Sequence, residues 1–154
     1  MILLIPLIIV FLIFWLWIFT FHEICHILEG FRLGADEGRI YIESYNKIPT
    51  MTCWSNYPKD NRSVQYAGGL YSGIVSFLIG LIPYYTETLW DFIFEFPLIT
   101  IGMVNIVYGI YEGIYIHNIP YDKYMKYHYI LYIVTILIMI GIYYNKIVEF
   151  IGLW

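Results

Sequence analysis

Ile2 to Phe21 is a run of twenty residues without a charge, and it leads directly into His22-Glu23-Ile24-Cys25-His26. About 20 apolar residues span the hydrocarbon core of a bilayer. A cleaved signal peptide is the main alternative. No Lys or Arg precedes the run, it exceeds a typical signal h-region, and no small-residue cleavage site follows it. The segment therefore reads as a retained first transmembrane helix that continues through the histidines to about Leu33-Gly34. The composition agrees: the chain is 60% hydrophobic and 13% charged, against roughly 45–50% and about 25% in soluble domains.

The remaining 120 or so residues divide in the same terms. Residues 35–63 are the one sizeable polar segment. Within it Arg39-Ile40-Tyr41-Ile42-Glu43 alternates polar with apolar, and Thr50 to Trp54 is rich in β-formers, which predicts a hairpin over 38–54. A second uncharged helix is expected at about 64–85, where Gly69 and Gly73 make a small-xxx-small pattern suited to close helix contact in lipid. Tyr85 to Glu95 reads as an acidic connector, and Pro97 suits the first turn of a third helix at 96–116. A fourth is expected at 128–150. The fold class is thus a mainly α membrane protein of one domain, 1–154. Four transmembrane helices carry a small β-hairpin between the first two.

Basic residues set the expected orientation. Arg32, Arg39, Lys47, Lys59 and Arg62 follow the first helix, and Lys123 and Lys126 follow the third. The positive-inside rule puts both loops in the cytoplasm and both termini outside. The net charge of −4 gives no basic footprint, so a nucleic-acid partner is not expected. Membrane lipid and a transmembrane protein or peptide are the expected partners. Cys25 and Cys53 read as two free thiols.

At about 100° per residue, His22 and His26 lie on one helix face, one turn apart. Two imidazoles at that spacing can share a Zn²⁺, with Glu23 beside them as a candidate base. Glu112 follows sixteen uncharged residues near the same, inner end of the third helix, and an intramembrane carboxylate needs a partner. Ala67-Gly68-Gly69 opens the second helix from that side. His22, His26 and Glu112 are the candidate metal ligands, with a fourth position left for water. His117 and Asp122 are alternative third ligands. Glu29, one turn beyond His26, is expected to accept a hydrogen bond from it. Asn105 is a candidate catalytic residue, holding a carbonyl or an oxyanion, or else a helix–helix hydrogen bond.

The pattern resembles the site-2 protease family of intramembrane zinc metalloproteases. His22 to His26, with Gly34 eight residues on, is similar to that family's H-E-x-x-H helix. Ala67-Gly68-Gly69 resembles its A-G-P motif with glycine in place of proline. Asn105 to Gly113 resembles its asparagine…aspartate-glycine segment, with Glu112 in the aspartate's place, one residue less between asparagine and acid, and no internal proline. The resemblance covers about residues 10–116. It implies a zinc-dependent endopeptidase that cleaves membrane-spanning or membrane-proximal substrates, with an extended substrate segment pairing to the hairpin by β-augmentation. No room is left within these residues for a PDZ-like domain. The competing reading is a non-catalytic membrane protein that keeps the metal site for structure or binding.

Overall fold

The computed structural model describes residues 4–45, 48–56, 61–82, 89–116 and 118–152. Helix α1 (Leu4–Arg32) is followed by strands β1 (Gly38–Tyr45) and β2 (Ile48–Ser55), then by helices α2 (Arg62–Gly80), α3 (Leu89–Tyr115), α4 (Tyr121–Ile142) and α5 (Tyr144–Gly152). Three of the helices, α1, α3 and α4, are long and apolar enough to cross a membrane. Their outward faces carry Ile8, Leu12 and Leu16 on α1 and Ile133, Leu137 and Ile138 on α4, all more than half exposed or close to it. Side chains of that kind suit lipid rather than water.

The second of the four expected spans is a helix, but not apolar enough to count with the other three. Glycine, serine and glutamine dilute it because one of its faces is spent on protein contact: Ala67, Gly68, Gly69, Ser72, Gly73 and Ser76 are all buried. That face packs on α1 and, most intimately, on α3. A Cβ added to Gly69 would fall within 2.6 Å of the Asn105 carbonyl oxygen and against the Gly109 backbone. The two helices therefore touch backbone to backbone. The small-residue pattern on α2 meets its counterpart, Gly102 and Gly109, on the α3 face that also bears Asn105 and Glu112.

Helix α1 stops where expected. Gly34 takes a left-handed φ of 103°, and the Ala35 N–H closes on the Gly30 carbonyl at 2.9 Å, an arrangement that glycine adopts without a Cβ penalty. The chain turns there into an antiparallel hairpin that pairs Gly38 with Ser55 through Tyr45 with Ile48, spanning the predicted 38–54.

Two expectations are corrected at the other end of the bundle. Pro97 does not open a helix but lies inside α3, fully buried. The preceding turns are worth forming because Phe92 and Ile93 pack with Phe150 of α5 and with Leu7 and Val10 of α1. Asp91 and Glu95, expected in a connector, thus belong to the helix; residues 83–88 lie outside the described residues. The expected helix at 128–150 begins earlier and breaks at Tyr143, so α5 folds back onto that cluster. Glu95 secures the break, accepting the Tyr143 hydroxyl at 3.0 Å and facing the Lys146 ammonium at 3.4 Å.

Candidate metal centre

Helices α1, α2 and α3 converge at the end of the bundle opposite that aromatic cluster. His22 and His26 project from α1 with their Nε2 atoms 3.0 Å apart. From α3, Oε2 of Glu112 lies 3.4 Å from His22 Nε2 and 3.7 Å from His26 Nε2. All three side chains are buried.

Two imidazole nitrogens 3.0 Å apart, beside a carboxylate oxygen that has no hydrogen-bond partner, make a poor structural cluster. They make a good cation site. Ligands about 2.0–2.1 Å from a tetrahedral Zn²⁺ stand about 3.3–3.4 Å apart. A triangle with the observed edges has a circumradius of about 2.0 Å. Gly68 of α2 roofs the triangle, and a Cβ there would lie 2.7 Å from His22 Nε2 and against His26 Nε2. The residues present therefore fit a divalent metal held by two histidines and one carboxylate.

Hydrogen bonds turn the ligands toward this point. His26 Nδ1 is 2.5 Å from the Val64 carbonyl oxygen, so Nδ1 carries the proton and Nε2 is left bare. The expectation that Glu29 would serve His26 is overturned. The Glu29 carboxylate instead accepts two bonds from Arg32, each 2.7 Å, and one from the Ser63 hydroxyl. Arginine outcompetes an imidazole for a carboxylate because it offers two parallel donors. Glu29 still matters to the site indirectly, since it ties α1 to the residue next to Val64.

Asn105 is buried and lines the same cavity as His22 and Glu112. His117 and the side chain of Asp122, the other candidate third ligands, lie outside the described residues. Cys25 and Cys53 are both free thiols.

The triangle opens into a cavity of about 960 Å³ bounded by α1, β2 and α4 and lined by His22, Glu23, His26, Asn105 and Glu112, among others. Glu23 is on the β2 side of it. Cys53 of that strand lines the same cavity. The Asn56 N–H bonds the Glu37 carbonyl, so in the register that pairs Ile40 with Cys53 the Cys53 N–H points away from β1. Since orientation alternates along a strand, Met51, Cys53 and Ser55 present their peptide groups along the unpaired edge of β2, inside the cavity.

Sequence reasoning missed the opposite wall. Tyr108 stacks on His22 at 5.3 Å between ring centroids, and His128 of α4 packs on Tyr108 at 4.2 Å and on Tyr132 at 4.4 Å. The available signals were a tyrosine one turn before Glu112 and a histidine inside an apolar helix. No protein-family model, curated protein or solved structure matches this chain. The functional reading accordingly rests on the site itself.

Proposed function

We propose that this chain is a zinc-dependent intramembrane endopeptidase of the site-2 protease type, acting on membrane-spanning or membrane-proximal peptides. The observation that carries the reading is the buried His22–His26–Glu112 triangle, which opens toward Glu23 and an unpaired strand edge in one cavity. A Zn²⁺ held by these three side chains would supply a Lewis acid for activating water and polarising a peptide carbonyl.

The chain's own residues divide the remaining work. The Glu23 carboxylate accepts the proton of the attacking water and returns it to the departing amine nitrogen. The free edge of β2 holds the substrate in extended form, which exposes a peptide bond that a helix would bury. Pairing at Cys53 would seat the substrate in the cavity that Glu23 also lines. The Val64 carbonyl keeps the His26 imidazole aimed. Only three protein ligands converge among the described residues, which favours an open catalytic position over a closed structural site.

In this reading α2 is the fourth membrane crossing. Its 19 residues rise about 28 Å, close to the thickness of a hydrocarbon core, and its outer face is apolar, with Ile74, Val75, Leu78 and Ile79 exposed. The distribution of basic residues supports a centre toward the cytoplasm and termini outside.

The decisive experiment is Glu23→Gln in full-length protein reconstituted with a transmembrane substrate. Cleavage should fall by about 10²–10⁴-fold with bound zinc unchanged. Wild-type cleavage by a zinc-loaded Glu23→Gln protein would remove Glu23 from the mechanism. A zinc-loaded wild-type protein inert toward every transmembrane peptide offered would favour the non-catalytic reading.

A further inference from the structure

We infer that His128 is a substrate-binding residue, whose Nε2–H donates to a main-chain carbonyl of the substrate strand on the side turned away from β2. The inference rests on the strand-pairing part of the proposed function and not on the metal chemistry.

His128 is a polar side chain inside a helix long and apolar enough to cross a membrane, where such a residue is expensive and needs a partner. The fold holds the imidazole without satisfying it. Tyr108 and Tyr132 pack on the ring at 4.2 and 4.4 Å between centroids, and Tyr129 borders it at 5.4 Å. Nδ1 is buried and has no hydrogen-bond partner. The hydroxyl of Tyr124, one turn before His128 on α4, is already spent on the Tyr108 oxygen at 3.0 Å.

The two ends of the imidazole differ. Nδ1 is sealed behind the aromatic rings, whereas Nε2 is not among the buried, unpartnered atoms. His128 lines the cavity, so Nε2 is the end offered to it. A neutral imidazole carries one proton. On Nε2 that proton can meet an acceptor that enters the cavity; on Nδ1 it would be buried unpaired, at a desolvation cost. His128 is therefore a donor held ready on the wall across from β2.

A strand seated on β2 supplies the acceptor. Every second residue of such a strand points its N–H and C=O at β2, and the residues between point theirs the opposite way. Among apolar helices an outward carbonyl left unpaired would count against binding. His128 and the free edge formed by Met51, Cys53 and Ser55 line the same cavity, so the imidazole can take one of these carbonyls while β2 takes the inward groups. The bond reads extended backbone and not a side chain. It adds affinity without a sequence preference.

The test measures binding apart from cleavage. Full-length, zinc-loaded Glu23→Gln protein in detergent is titrated with a fluorescein-labelled transmembrane peptide carrying a central Gly-Pro pair, and Kd is read by anisotropy. His128→Phe in this parent keeps the ring packing and removes the donor. It should weaken Kd by about tenfold, the worth of one hydrogen bond, with zinc content unchanged. His128→Gln, whose amide nitrogen reaches the place of Nε2, should stay within about threefold of the parent. His128→Asn, too short to reach, should resemble His128→Phe. A parent-like Kd in His128→Phe would overturn the inference. Equal weakening in all three variants would do the same, since disturbed packing would then suffice. Loss of zinc in His128→Phe would also overturn it, making His128 a prop of the metal centre. A parent that binds no such peptide would overturn strand pairing and the role of His128 together. Binding by the parent, with no cleavage by the zinc-loaded wild-type chain, would remove the endopeptidase reading alone.

Discussion

Replacing Gly68 with alanine tests the metal centre from the one side that carries no ligand. The added Cβ would stand 2.7 Å from His22 Nε2 and 2.5 Å from His26 Cε1. Ordinary carbon–nitrogen contact begins near 3.4 Å, so the His22 ring would have to retreat by at least about 0.7 Å and the His26 ring by more. Metal sites tolerate only about 0.2 Å of error in ligand distance. The His26 ring is further restrained by its 2.5 Å bond to the Val64 carbonyl, so it cannot move without giving up the contact that orients it. Two of three ligands would therefore be displaced at once. The expected loss in Zn²⁺ affinity is at least about 100-fold, or about 2.7 kcal/mol. Chelator competition on detergent-solubilised protein measures it. The fold should survive, because imidazoles can swing into the cavity where a backbone could not yield, and circular dichroism should stay that of wild type. Gly30→Ala is the control, since its Cβ would meet the side chain of Ser55 at 3.0 Å and that of Ala35 at 3.8 Å, and neither histidine. Zinc affinity within about threefold of wild type in Gly68→Ala would refute the placement of the metal between these nitrogens.

Four further outcomes are expected. Chelation of the bound metal should abolish peptide cleavage, and Zn²⁺ should restore it; cleavage that continues in metal-free protein would end the metallopeptidase reading. Cys53→Pro removes a peptide N–H on the free edge of β2, where proline is tolerated. It should raise the substrate KM by about tenfold, the worth of one hydrogen bond, while Cys53→Ala leaves the N–H and the KM alone. Equal KM values in the two variants would argue against strand pairing there. Gly69→Ala forces a methyl group into the α3 backbone and should cost about 1–3 kcal/mol in thermal or denaturant unfolding. Gly141→Ala has open space around its Cβ and should be neutral or stabilising by up to about 1 kcal/mol in the same assay.

The order of elements and the residues with chemistry to offer were legible in the sequence, because both follow from local rules. Twenty uncharged residues ahead of His22 determine a helix that lipid can surround, and the spacing of His22 and His26 determines that both face one way. The alternation from Arg39 to Glu43 is likewise enough for a strand. Partnership across elements was not legible in the same way. Glu29 has the right spacing to serve His26, yet it bonds Arg32 and Ser63 instead, since a carboxylate's choice depends on which donors the fold brings within reach. Gly69 and Gly109 let α2 and α3 touch backbone to backbone, which no single helix encodes. Pro97 could open a helix by its own chemistry, but packing of Phe92 and Ile93 against α5 extends α3 beyond it. Tyr108, Tyr124 and His128 read as aromatics in apolar helices; packing of α3 on α1 stacks Tyr108 on His22, and docking of α4 adds Tyr124 and His128 behind it. Periodicity and charge are properties of neighbours along the chain. Which oxygen faces which nitrogen is decided by helix crossings, set here by a few glycines and by burial of the surfaces between them.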